Sequence, residues 1–216
     1  MEMAEATEEI PQGRRGPRAG RALVIVGAAL LCLGLLALLG LGAYVWYTNN
    51  YTRNEQKKLF GEWKEKPTPV TQIVNATVAP GAPIAEIIVP RLNLDAIVIE
   101  LAGLDDRENL NRGPGHVPGT AYPGMPGNVF IAGHRTTYGA PFGGLDQMRN
   151  GDKIILVTAE GRHIYTVIEQ RIVDPHDLSV LGQEGEPRVT LMACHPKFTA
   201  NKRILVIGRL SGETTP

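Results

Sequence analysis

The sequence predicts a mainly-β protein, a closed barrel of seven or eight strands with short helices, preceded by one N-terminal membrane-spanning helix. Three observations carry that prediction. One early stretch is apolar for long enough to cross a bilayer; from about residue 85 the chain breaks into short runs rich in Val and Ile, bounded by Gly, Pro, Asn and Asp; and no long helical period separates those runs. With 25 Gly and 16 Pro, the 216-residue composition also favours a turn-rich β domain over a helical bundle. Lys+Arg and Asp+Glu both total 22, so the formal charge is zero. Nothing in that balance attracts a polyanion, and nucleic acid is not an expected partner.

The first element is the membrane helix. Ala22 to Thr48 is uncharged over 27 residues, nine of them Leu. As a helix it would be about 40 Å long, against a hydrocarbon core of roughly 30 Å. Tyr44, Trp46 and Tyr47 fall at its C-terminal end, where amphipathic rings settle at the headgroups, and the helix is expected to stop there. A cleaved signal peptide has a shorter apolar core of about 7–15 residues. A lipoprotein signal would have small residues before its cysteine, whereas Leu30 and Leu31 precede Cys32. The flanking charges, Arg14, Arg15, Arg18 and Arg21 before the helix and Arg53, Lys57 and Lys58 after it, do not fix its orientation. Residues 1–21 form a tail too short to be a domain, so function is assigned to the C-terminal side.

Residues 49–83 read as a juxtamembrane stalk and spacer. Its first part, Asn49 to Lys66, has helical composition, and Leu59, Phe60 and Trp63 give it a small apolar face that could equally pack back onto the domain. Pro67, Pro69, Pro80 and Pro83 follow. The domain proper is expected over residues 84–211, with 212–216 as a tail. Its candidate strands are Glu86–Val89, Ala96–Glu100, Asn128–Gly133, Lys153–Thr158, His163–Ile172, Arg188–Ala193 and Arg203–Leu210, and Glu160-Gly161 reads as a hairpin turn.

Reactive residue types fall at the ends of these strands. His134 follows one, Cys194 follows another and Arg203 opens the last. If the last two strands pair antiparallel, the connection from His195 to Lys202 puts Cys194 beside Arg203 on one rim. Cys194 is the only thiol outside the apolar helix, so no disulfide can form within the domain. A thiolate beside an imidazolium and a guanidinium is equipment for attacking an amide: the cations favour the thiolate and the oxyanion, and the imidazole can protonate the leaving amine. A lone Cys ending an apolar strand is also compatible with an inert buried residue, and the residues alone leave both readings open.

Motif content narrows the choice. Thr190-Leu191-Met192-Ala193-Cys194-His195-Pro196, preceded by Ala132-Gly133-His134-Arg135 and followed by Arg203 opening an apolar strand, resembles the sortase signature. Gly113-Pro114-Gly115-His116, Pro123-Gly124, Gly127-Asn128, Gly151-Asp152 and the loop from Thr136 to Phe142 extend the resemblance over roughly residues 85–210. That loop and the Cys-His-Pro-Lys-Phe run are most similar to class E sortases of actinobacteria, while Gly-His-Val-Pro-Gly-Thr (115–120) also resembles class D relatives.

The resemblance implies a sortase-type barrel and a cysteine transpeptidase. Cys194 would attack the Thr–Gly bond of a C-terminal sorting signal of Leu-Pro-x-Thr-Gly or Leu-Ala-x-Thr-Gly type, His134 would protonate the departing amine, and Arg203 would hold substrate and oxyanion. The implied partners are secreted proteins bearing such signals and a lipid-linked peptidoglycan precursor whose amine resolves the thioacyl-enzyme. The resemblance also implies a Gram-positive cell membrane, with the N-terminus cytoplasmic, the catalytic domain extracellular, and no cofactor or metal required. Val117, Tyr122, Thr136, Tyr138, Ala193 and His195 are the substrate-binding candidates. Two of them sit where the chain departs from the pattern: Ala193 where Thr is common before the nucleophile, and Val117 where class E sortases have a Tyr associated with Ala at the second signal position.

Two other classes of function are weighed. A metal site could recruit His116, His134, His163, His176 and His195, but no two lie at the i, i+2 or i, i+4 spacing of a single element. A catalytically silent, membrane-tethered barrel acting as a binding module is the stronger rival. The co-occurrence of Cys194, His134 and Arg203 argues against it.

Overall fold

A computed structural model describes residues 17–67, 69, 78–183 and 185–214. Residues 1–16 of the expected tail (1–21), most of the proline-bounded spacer (70–77) and the last two residues lie outside them. The described chain forms two compact units, divided between Tyr44 and Val45.

The first unit is the apolar part of α1 (Pro17–Glu65). Leu, Val and Ile side chains from Leu23 to Leu41 stand exposed on every side of the helix, the pattern of a segment whose solvent is lipid. The helix is not terminated at Thr48, as the aromatic cluster suggested, but continues through Glu65. Nothing in Asn49 to Glu65 breaks it, since the stretch has no proline and its one glycine, Gly61, is tolerated at about 1 kcal/mol.

The second unit is a closed barrel. Its strands are β1 (Pro83–Val89), β2 (Leu94–Glu100), β3 (Gly115–His116), β4 (Asn128–Ala132), β5 (Lys153–Thr158), β6 (Gly161–Val173), β7 (Arg188–His195) and β8 (Lys202–Thr214). Around the barrel they run β1-β2-β3-β4-β7-β8-β6-β5, with β5 closing onto β1. The β2–β3 and β4–β7 pairs are parallel and the rest antiparallel. Seven strands match the sequence expectation; five of them are longer by two to five residues and β4 is shorter by one. The eighth, β3, has two residues and left no alternation to detect. A short helix, α2 (Arg107–Leu110), is started by Asp106, whose carboxylate accepts from the Asn109 amide at 3.1 Å.

Alternation explains the core. Val129 and Ile131 of β4, Leu191 and Ala193 of β7, and Ile204 and Val206 of β8 point into the barrel. On the outer face, Phe130, Ala132 and Leu205 join Leu101, Val117 and Val173 in a second apolar cluster under Val180, Leu181 and Met192. β4 is therefore buried on both faces, which is why it reads as an unbroken apolar run.

The stalk does not hang free. Leu59 and Trp63 are buried against Ile97 and Ile99 on the outside of β2, with Phe60 beside them. Each such side chain contributes on the order of 2 kcal/mol. Thr52, Gln56, Leu59 and Trp63 follow the spacing of one helical face, and Gln56 completes the docking in the manner of a strand. It accepts from the Ile97 amide at 2.7 Å and donates to the Ile97 and Arg112 carbonyls at 3.1 and 3.0 Å. Gly113 permits this approach, because a Cβ there would lie 2.1 Å from Gln56 Nε2.

Candidate active site

Three strands deliver the candidate residues to one rim. Cys194 and Arg203 are register partners across the antiparallel β7–β8 ladder. Their chain neighbours Ala193 and Ile204 face the interior, so thiol and guanidinium project from the outer face. Ala132 of β4 is in register with Met192 of β7, and the Gly133 amide continues the ladder by donating to the Met192 carbonyl at 3.0 Å. In this parallel pair His134 leaves β4 level with Cys194. The nucleophile candidate thus lies between the imidazole-bearing and guanidinium-bearing segments.

Each side chain has a defined environment. His134 Nε2 lies 2.9 Å from Asn111 Oδ1. An amide oxygen only accepts, so Nε2 carries the proton and Nδ1 remains for proton traffic. The Tyr138 ring stacks on the imidazole at 5.0 Å, and burial holds His134 below the usual histidine value of 6.5. Arg203 donates through Nη1 to the Ala200 and Lys202 carbonyls at 2.9 and 3.0 Å, and no carboxylate lies within 4 Å of it among the described residues. Among the described residues, its charge is therefore not neutralised by a fixed counter-ion.

Arg135, next to His134, points the other way. It is buried, donates to the Cys194 carbonyl at 3.2 Å and to His195 Nδ1 at 2.9 Å, and pairs with Asp146 at 2.8 Å. Gly133 makes room for the loop that closes over this region, because a Cβ there would meet the Phe142 ring at 2.5 Å. Within the loop Tyr138 and Ala140 adopt left-handed backbone, a cost of about 1–2 kcal/mol each. Tyr138 recovers part of that cost by stacking on His134.

Away from Cys194 along β7, the outer cluster forms an apolar floor through Met192, Leu205, Phe130 and Val117. It leads to a cavity of about 290 Å³ whose lining includes Asn128, Thr190, Gln183, Arg171 and Arg188. Thr190 donates to Asn128 Oδ1 at 2.8 Å, and Asn128 Nδ2 donates to the Val180 carbonyl at 3.1 Å, tying β7 through β4 to the segment that carries Val180.

The remaining candidates are dispersed. Val117 is buried in the outer apolar cluster. Tyr122 turns away from that floor: its ring stacks on His116 at 4.6 Å and its hydroxyl donates to Glu100 at 3.3 Å, with burial pushing the phenol up to about 12. Thr136 is half-buried in the loop before Tyr138. One substrate-binding expectation requires correction. Ala193 lies in the barrel interior, because strand alternation sends it to the face opposite Cys194. His195 is half-buried and takes a hydrogen bond at Nδ1 from Arg135. The histidines have separate partners, Glu100 for His116 and Glu213 for His163, and among the described residues no group of three or more His, Cys, Asp or Glu is placed to hold a metal.

Asn111 and Arg135 were not singled out from sequence. Arg135 was visible only as part of the Ala-Gly-His-Arg run, and Asn111, 23 residues before its partner His134, left no signal.

Residues 87–211 match the sortase domain model, more than half of the chain. The chain belongs to the sortase family. It is 29% identical to sortase E1 of Streptomyces coelicolor over 94% of its own length and 62% of that protein's. It is 28% identical to sortase D of Bacillus subtilis over 56% of its length and 60% of that protein's. The chain thus spans about three fifths of both curated relatives. Among solved structures, a Clostridium perfringens sortase D5 transpeptidase superposes with a TM-score of 0.64 at 29% identity, covering 74% of this chain and 99% of that one. Sortase E1 of Streptomyces coelicolor, solved with a tripeptide in the active site, gives 0.58 at 29% identity and covers 64% and 94%. Sortases are cysteine transpeptidases, and the eight-stranded closed barrel of this sortase is the fold its sequence predicted. Its likeness extends to both class D and class E.

Proposed function

We propose that this sortase is a membrane-anchored transpeptidase whose nucleophile is Cys194. The observation that carries the reading is the register of Cys194 with Arg203, on the rim where His134 leaves β4. The Cys194 thiolate attacks the Thr carbonyl of a Thr–Gly bond; the Sγ–C bond forms and the oxyanion develops beside Arg203. Collapse breaks the C–N bond as protonated His134 gives its proton to the leaving glycine amine. An amine of a lipid-linked peptidoglycan precursor then attacks the thioester, joining the protein to the cell wall and returning the thiol. The signal, of Leu-Pro-x-Thr-Gly or Leu-Ala-x-Thr-Gly type, lies along the apolar floor toward Val117. The apolar helix is the anchor, with the N-terminus cytoplasmic and the barrel outside.

The test is to incubate the detergent-solubilised full chain with sorting-signal peptides varied at the second position and to follow cleavage and thioacyl adducts by mass spectrometry. Cleavage between Thr and Gly with an adduct on Cys194 is expected. A chain with an alkylatable Cys194 that forms no adduct with any peptide is a silent binding module.

A further inference from the structure

We infer that the helical turn Asn49–Thr52, just beyond the apolar segment, is a positioning element for His134, holding both neighbours of the imidazole from one side. The inference rests on the reading of His134 as the proton donor. On one route, the Thr52 hydroxyl donates to the Asn111 carbonyl at 2.7 Å, and the Asn111 side chain accepts from His134 Nε2 at 2.9 Å. The anchor is reinforced one turn on, where Gln56 donates to the Arg112 carbonyl at 3.0 Å and Glu55 pairs with Arg112 at 3.1 Å. On the other route, the Gly139 amide donates to Asn49 Oδ1 at 2.9 Å, and the Tyr51 ring meets Tyr138 edge-on at 6.4 Å. Tyr138 is the residue stacked on the imidazole.

The two routes answer different needs. Asn111 fixes the tautomer and the in-plane direction of the ring, and Tyr138 fixes its tilt. The support each residue draws from its own segment is local: the Asn111 amide donates to the Arg107 carbonyl at 3.0 Å, and across the Tyr138 turn the Ala140 amide donates to the Thr137 carbonyl at 2.9 Å. Asn111 ends the four-residue helix α2, and Tyr138 sits in a loop with left-handed backbone. A short helix end and a strained loop are held more firmly when an outside element adds contacts to them, and the docked helix is such an element. Thr52 is buried beneath the contact, and its methyl approaches Gly139, where a Cβ would stand 3.6 Å away. The helix that anchors the chain is thereby part of the machinery that orients the general acid.

The experiment uses the full chain in detergent with Thr52→Val, Thr52→Ser, Asn49→Ala and Tyr51→Leu. Thr52→Val keeps the shape and removes the donor; Thr52→Ser restores it. The readouts are Tm, kcat and KM for a cleaved peptide, and the NMR titration of the His134 imidazole, assigned with His134→Gln. A positioning role lowers kcat by at least about tenfold in Thr52→Val and in Tyr51→Leu with KM little changed. It also moves the His134 midpoint up toward the ordinary value, as water reaches a loosened ring, and Thr52→Ser returns both toward wild type. If Thr52→Val lowers Tm, Asn49→Ala, which loses a single contact at the surface, carries the same comparison. Variants with wild-type kcat and an unmoved His134 midpoint would overturn the proposal. Should wild type cleave no peptide, the transpeptidase reading fails, while the His134 titration still decides whether the helix sets the ring.

Discussion

Cys194 on β7 and Arg203 on β8 oppose each other directly across an antiparallel ladder, which brings their Cβ atoms to within about 5 Å without help from any loop. Most of the chemistry expected of this sortase follows from that relationship, because a strand ladder is rigid and its register is fixed by the core residues on its inner face.

Replacing Cys194 by Ala is expected to abolish thioacyl formation and peptide cleavage. The side chain is half-buried at a strand end, so its loss removes little packing, and Tm should fall by no more than a few degrees. Mass spectrometry of the peptide reaction checks the first point and a thermal melt the second. Residual cleavage by the Ala variant would place the nucleophile elsewhere.

Arg203→Lys is expected to lower kcat/KM by about 10²- to 10³-fold. Part of the guanidinium is already committed to the Ala200 and Lys202 carbonyls, and its planar fork leaves further donors for an oxyanion. An ammonium group satisfying the same carbonyls has a single centre and a flexible stem. Turnover of the Lys variant within threefold of wild type would assign Arg203 to the β7–β8 connection alone.

Arg135→Ala is expected to cost about 2–3 kcal/mol of stability, since the buried guanidinium serves the Cys194 carbonyl, His195 and Asp146 together. Asp146 is half-exposed and rehydrates when its partner is lost, which keeps the cost below that of a fully buried pair. Urea melts measure it. An unchanged midpoint would show that the β7 terminus is held without Arg135.

Burial depresses the folded pKa of His134 below its ordinary 6.5, so the unfolded chain binds more protons between the two values. The contribution of this residue to stability is therefore complete above about 6.5, falls as pH drops through the window down to the folded pKa, and levels off below it. Comparing unfolding free energies of wild type and His134→Gln across that range should reveal a wild-type slope that the variant lacks. Equal slopes would mean that the imidazole is as hydrated in the folded chain as in the unfolded one.

Specificity at the second signal position is expected to turn on Val117. Tyr122, the other ring available in the loop, is engaged by His116 and Glu100 and does not fill the space beside Val117. Peptides with Pro at that position should be cleaved at least as well as those with Ala, Tyr122→Ala should leave the ratio unchanged, and Val117→Tyr should shift it toward Ala by about tenfold. The ratio of kcat/KM for the two peptides in the three proteins is the measurement. A strong Ala preference in both wild type and Tyr122→Ala would remove position 117 from specificity.

The sequence by itself determined the apolar helix, seven of the eight strands and the adjacency of Cys194 and Arg203. Each is a local property: an uninterrupted apolar length, an alternation of period two, or two neighbouring strands joined by a short connection. The tertiary structure alone decided what lies across the barrel. The parallel β4–β7 pair levels His134 with Cys194, yet the paired residues are 60 apart in sequence, beyond the reach of any periodic pattern. The apolar face of Leu59 and Trp63 was visible in the sequence, but that it docks on Ile97 and Ile99 of β2 was not, because composition does not name the partner surface. Asn111 and Arg135 acquire their roles in the same way, through His134 and His195, which lie 23 and 60 residues away from them. A buried polar group needs a partner, and which one it takes is decided only when the packed barrel leaves one within reach.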